Sequence, residues 1–121
     1  MTTRSDKSVL AGKNAENNEE LIKQAEKNEI VLHTARPGSP FANIKGKANK
    51  KDIEEAAIFC ARYSKDWRDN KRDVIIHQFK GKDIYKNKLM KTGTFGVKKF
   101  KVIKIKKEEI EKWEEKKKKD I

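Results

Sequence analysis

Cysteine and histidine are nearly absent: one of the first, Cys60, and two of the second, His33 and His77, in 121 residues. A lone thiol cannot close an internal disulfide, which fits a reducing compartment. With only two imidazoles beside it there is no paired ligand spacing for zinc. Dinucleotide-fold glycine fingerprints, phosphate-loop motifs of the Walker type and metalloprotease motifs are missing as well. The expectation is therefore a protein without metal or cofactor and without catalytic residues, so not an enzyme. A dyad of Cys60 with His77 is formally possible, but Cys60 falls on the apolar stripe of an expected helix, where a small buried hydrophobe is the bland reading. No stretch approaches the ~20 apolar residues that a membrane span needs. The opening MTTRSDKSVLAGK has no apolar signal core. A cytoplasmic protein, neither exported nor inserted, is expected.

Acid is missing from one long segment. Lys86 to Lys107 holds nine lysines (86, 88, 91, 98, 99, 101, 104, 106 and 107) and no aspartate or glutamate. The whole chain has 31 Lys and Arg against 19 Asp and Glu, a net charge of +12. Residues 1–34 carry 5 basic and 6 acidic side chains, net −1, so all the excess lies beyond them. A lysine-rich face can simply be solvated, but so many like charges without a counter-charge repel each other unless something anionic covers them. The commonest such partner is phosphate. Charged residues make up 41% of the chain and apolar ones 35%, which leaves a lean core in one domain.

The chain's organisation centres on Asn28 to Trp67. Ile30 to Leu32 and Phe41 to Ile44 are short strand-like runs flanking Arg-Pro-Gly-Ser-Pro (36–40). Pro37 sets φ at the turn corner and Gly38 can adopt the positive φ of a type II turn, so a hairpin is expected. Beyond Gly46 the apolar period lengthens. Ile53, Ala56, Ala57, Cys60, Ser64 and Trp67 share one helical stripe, with Asn49 and Asp52 as N-cap pair. Ser8 to Ala11 suits a short edge strand. Asn17 with Glu20 suggests a capping box for a polar helix over Asn18 to Lys27. Arg72 to Lys80 alternates as the clearest strand, with both faces partly covered. A short strand over Asp83 to Lys86 and a basic loop around Gly93 follow. Phe95 to Lys106 then reads as one strand whose phase change at Val102-Ile103 suggests a bulge or a twist. From Glu108 the composition favours a helix with only Ile110 and Trp113 to bury, expected to be frayed. The expected architecture is α+β: a mixed or antiparallel sheet of about five short strands, a long helix on one face and a basic C-terminal helix. The division is a domain over 1–107 and a lysine/glutamate-rich tail over 108–121.

Candidate contacts follow from charge and turn chemistry. Arg36 projects from a turn with no acid nearby in sequence, which suits bidentate contact with phosphate or base, although a solvated guanidinium is an equal alternative. Two roles fit His33, a local hydrogen bond to the turn backbone or an RNA contact. Lys45, Lys47, Lys86, Lys88, Lys91, Lys98 and Lys99 would supply charge. Gly93 to Gly96 (GTFG) reads as a turn, since no helix start follows it. The interleaved aromatics Tyr85, Phe95 and Phe100 could stack on bases, although core is the favoured reading for Phe95 and Phe100.

Four segments, GKNAENNEELI (12–22), IVLHTARPGSPFANIKG (30–46), EAAIFCARYSKDW (55–67) and LMKTGTFGVKK (89–99), resemble in order and spacing the NFACT-R family, the RNA-binding domain of NFACT proteins that act on obstructed large ribosomal subunits. The SKDW and TGTF pieces are more similar to its archaeal and eukaryotic branch. The resemblance implies an α+β RNA-binding module linked to ribosome-associated quality control, with tRNA or large-subunit rRNA as partner. His33, Gly38 and Ser39 match the family's histidine and Gly-Ser turn. Relatives often carry an acidic residue in the segment after that histidine, where this chain reads Thr34, Ala35, Arg36. The family's tail-adding residues lie outside the module. Alternatives left open are an RNA-presenting partner of a tRNA-modifying enzyme and a protein-interaction module for an acidic partner.

Overall fold

Pro37 and Gly38 reverse the chain as their chemistry dictates, Gly38 at φ +95°. The computed structural model describes residues 1–119; Asp120 and Ile121, the end of the expected tail, lie outside the described residues. Its elements in chain order are β1 (Val9–Ala11), α1 (Ala15–Gln24), β2 (Ile30–Thr34), β3 (Ala42–Ile44), α2 (Lys50–Arg62), α3 (Lys65–Asn70), β4 (Val74–Lys80), β5 (Ile84–Tyr85), β6 (Gly96–Val97), β7 (Lys101–Ile105) and α4 (Lys107–Lys119). The main sheet is antiparallel, in the order β1-β3-β2-β4-β7, and β5 pairs with β6 in a separate ribbon. This is the α+β architecture expected, with a helix layer on one face.

Alternation along the strands sorts the core into two layers. Leu32, Ala42, Ile44, Val74, Ile76 and Ile105 face α2, where Ala56, Ala57, Cys60 and Ala61 let the helix lie close to the sheet. Val31, Phe41 and Phe79 point the other way and are covered by Leu21 of α1 and by Ile84, Phe95 and Val97 of the ribbon. Asn49 and Asp52 close a capping box at the start of α2, as their spacing predicts.

Four expectations need correction. The first helix begins earlier: Asn14, not Asn17, is its N-cap, with its side chain accepting from the Asn17 N–H at 2.9 Å. The apolar stripe through Ser64 and Trp67 is not one helix. Ser64 ends the run and caps α3 by accepting from the Trp67 N–H at 3.1 Å, so the chain bends while Trp67 stays in the core. Phe95 to Lys106 is likewise divided. Gly96 and Val97 join the ribbon, and β7 starts at Lys101 with unbroken register against β4 from Gln78↔Lys101 to Val74↔Ile105, hence no bulge. The apparent phase change arises because Ile103 and Ile105 face the helices while Val102 is left on the outer surface. The C-terminal helix is anchored rather than frayed over its described length. Ile110 is fully buried, Trp113 meets Phe59 and Tyr63 edge-on, and Glu114 pairs with Arg62 at 2.6 Å.

Candidate nucleic-acid interface

Three loops distant in sequence and the end of α2, with Phe59 and the adjoining Tyr63, line one open groove of about 1140 Å³. The β1–α1 connection supplies Gly12 to Ala15, the hairpin turn supplies His33 to Phe41, and the ribbon loop supplies Thr92 to Phe95. The turn is fastened from below. The Thr34 hydroxyl reaches both the Arg36 carbonyl (2.5 Å) and Ser39 Oγ (2.8 Å), the Thr34 N–H donates to Ser39 Oγ (3.1 Å), and the Lys65 N–H donates to the Gly38 carbonyl (2.8 Å). Gly38 allows this approach: a Cβ there would stand 2.9 Å from Cβ of Lys65.

His33 stacks on Phe41, with ring centroids 4.2 Å apart. Burial holds its imidazole below the ordinary value, against hydrogen bonding within the turn, and neighbouring His77 pushes the same way. His33 is thus neutral at pH 7 and offers a ring surface rather than a charge. Both roles proposed for it remain available in this geometry. Cys60 is different. Its thiol is fully buried, donates to the Pro40 carbonyl at 3.4 Å, and burial pushes it up to about 12. A nucleophile needs a thiolate, which this site suppresses. Native protein should therefore resist iodoacetamide at pH 8, and one thiol per chain should react after urea unfolding. Rapid alkylation of the folded chain would contradict the buried placement.

The expected cations divide into two groups. Lys45 donates to Glu29 and Gln24, both at 2.7 Å, and so serves the fold. Lys86 bonds Glu19, the Lys91 carbonyl (2.5 Å) and the Thr94 carbonyl (2.8 Å), and lies 4.7 Å from the Phe95 ring centre. Glu19 also accepts the Gly93 N–H at 2.8 Å, so Lys86 and Glu19 pin the ribbon loop to α1. Lysine and glutamate there stand 67 residues apart, which no local pattern signals. Arg36, Lys47, Lys88, Lys91, Lys98 and Lys99 are exposed and have no ion pair among the described residues.

Lysines 88, 91, 98 and 99 sit on the loop of the β5–β6 ribbon and just beyond it. Lys101 and Lys104 are separated by strand alternation, Lys101 pairing in register with Gln78 and Lys104 with Ile75. Lys104 also meets Asp73 at 3.5 Å. The basic segment is thus not one continuous patch. Its compact part is the ribbon loop, beside a groove whose other walls carry Lys13 and lead to Arg36. Sequence reasoning placed Phe95 correctly in the core, edge-on to Phe41 at 5.7 Å. Of the two readings of Phe100, the favoured one, core, does not hold, since the ring is 50% exposed.

This architecture has known counterparts. The C-terminal part of the fibronectin/fibrinogen-binding protein from Streptococcus suis superposes with a TM-score of 0.78 over 92% of this chain and 46% of that one, at 20% identity, which is a likeness of fold. The archaeal Rqc2 homolog aRqcH of Methanocaldococcus jannaschii is 39% identical over 64 residues, half of this chain but only 10% of that protein's length. Residues 1–99, which contain every wall of the groove, match the NFACT protein RNA binding domain, and the chain belongs to that family.

Proposed function

We propose that the protein is a non-catalytic RNA-binding module that grips structured RNA, tRNA or large-subunit rRNA, by its phosphates, in the setting of ribosome-associated quality control. The observation that carries this reading is the β5–β6 ribbon: four exposed lysines, 88 and 91 on its loop and 98 and 99 just beyond it, without an acidic partner among the described residues, beside a groove lined by all four family segments. Arg36 and Lys47 extend the contact, and His33, Gly38 and Ser39 shape the groove. The amines of Lys45 and Lys86 are engaged internally and are left out of the contact set. Likeness to an archaeal Rqc2 homolog supports the ribosomal setting. Lysines meet phosphates as point charges and carry little base code, so sequence discrimination along paired regions should be weak.

Salt provides the direct test. About six phosphate contacts should cost roughly 300- to 2,000-fold in affinity for bulk tRNA or an rRNA fragment between 50 and 200 mM salt. Fluorescence anisotropy titrations at the two concentrations measure this. A change below about tenfold would remove the phosphate model.

A further inference from the structure

The outer face of β4 and β7 carries exposed apolar surface that packing does not explain. Strand register places His77 opposite both His33 of β2 and Val102 of β7, and Ile75 opposite Lys104. Phe100, just before β7, lies flat on His77, with centroids 4.1 Å apart and planes inclined by 26°. Half of Phe100 and 61% of Val102 nevertheless remain open to solvent. Burial lowers the His77 pKa, so the paired rings present a neutral, planar surface at pH 7. Lys98 and Lys99 immediately precede Phe100, Lys104 shares the outer face of β7 with Val102, and no acid occurs in the segment from Lys86 to Lys107. Of the three carboxylates at this edge, Asp73 is occupied by Lys104 and by the Lys107 N–H at 2.8 Å, Asp66 is paired with Arg72 at 3.0 Å, and Glu108 is exposed among Lys71, Arg72, Lys104 and Lys107. His33 and His77 also line the groove, while Ile75, Lys104 and Arg36 line a second hollow at the other end of the face. One surface therefore runs from the groove across the rings to Arg36.

We propose that this face binds an unpaired nucleobase from a single-stranded RNA segment, stacked on the Phe100–His77 pair beside Val102, with the flanking phosphates on Lys99, Lys104 and Arg36. The proposal rests on the RNA-binding reading above and adds to it a preference for strand ends, loops or bulges. A base has a flat π-face that suits paired rings on a sheet, whatever its identity, and a duplex cannot offer that face because its bases are already stacked. One negative charge per nucleotide matches the alternation of rings and lysines better than the side chains of a folded acidic protein would.

The test compares a labelled 12-nucleotide oligo-U with a 12-base-pair RNA duplex by anisotropy at fixed salt. Phe100→Ala should weaken the single strand by roughly 5- to 150-fold and leave the duplex within about twofold. Phe100→Trp should keep the single-strand affinity. Phe100 is half exposed, and circular dichroism of each variant verifies folding. Unchanged single-strand binding by Phe100→Ala, or equal losses on both probes, overturns the stacking site while the phosphate reading stands. Failure of the wild-type chain to bind either probe at low salt overturns both. Displacement of oligo-U from the wild type by an equimolar peptide of glutamate and phenylalanine would assign the face to a protein partner and overturn the proposal.

Discussion

Exchanging Lys88, Lys91, Lys98 and Lys99 together for glutamate should lower affinity for structured RNA by about three orders of magnitude at 0.1 M salt. Each phosphate contact removed is worth roughly five- to eightfold at that concentration, and four act together. The logarithmic salt slope should fall by about 3 to 4 in the same measurement. Stability should change little, because all four side chains are exposed and none makes an ion pair among the described residues. Each exchange removes two charges, so net charge falls from +12 to +4. A control with equal charge separates location from total charge. Lys50, Lys51, Lys112 and Lys116 are exposed on α2 and α4, and none of them lines the groove. Replacing these four by glutamate also gives +4, and the new carboxylates at positions 50 and 51 would sit favourably at a helix N-terminus. That variant should lose about tenfold or less, through long-range attraction alone. Equal losses in the two variants would mean that the ribbon loop is not the contact surface.

What could be foreseen from sequence was governed by distance along the chain. The Asn49/Asp52 capping box, the Pro37-Gly38 turn and the alternation of Val74 and Ile76 each depend on neighbours within a few residues, and each forms as expected. The break at Ser64 was also local. Its hydroxyl is a good N-cap, but the stripe of Cys60, Ser64 and Trp67 at helical spacing masked it. Both Ser64 and Trp67 do face the core, across two helices rather than one. Lys86 and Lys45 looked like free charge because their partners, Glu19 and Glu29, lie far back in the chain in the segment with no basic excess. Phe100 looked like core because an aromatic in an alternating run usually is. Only the position of β7 at the sheet's edge, beyond the reach of α1 and the ribbon, leaves it in the open. The groove itself needs three loops and the end of α2 brought together by the sheet, and the family resemblance marked its walls without indicating that they meet.

Glu29→Gln should destabilise the fold by about 2 to 3 kcal/mol at pH 7 and flatten its acid sensitivity. Glu29 is 5% exposed, between α1 and β2, and burial alone would raise its pKa. Hydrogen bonds from the Gly46 N–H (2.8 Å), Lys45 Nζ (2.7 Å) and the Glu26 N–H (2.9 Å) outweigh that and hold the carboxyl at about 2. Because the folded value lies below the unfolded value of 4.5, the charged group stabilises the fold fully above pH 4.5, and the stabilisation fades as pH falls towards 2. The whole effect is about 3 kcal/mol, of which about 2 is lost between pH 7 and pH 3. Glutamine keeps the shape but not the charge and turns a donor towards groups that already donate. Urea unfolding at pH 7 and pH 3 should show a stability difference about 2 kcal/mol smaller in the variant than in the wild type. The same difference in both chains would contradict the Glu29 geometry. This variant also releases Lys45 from its carboxylate while leaving the ribbon loop untouched. RNA affinity should therefore stay equal to wild type or rise slightly, so a fall in binding would show that the Glu29–Lys45 pair shapes the RNA contact rather than only the hairpin beneath it.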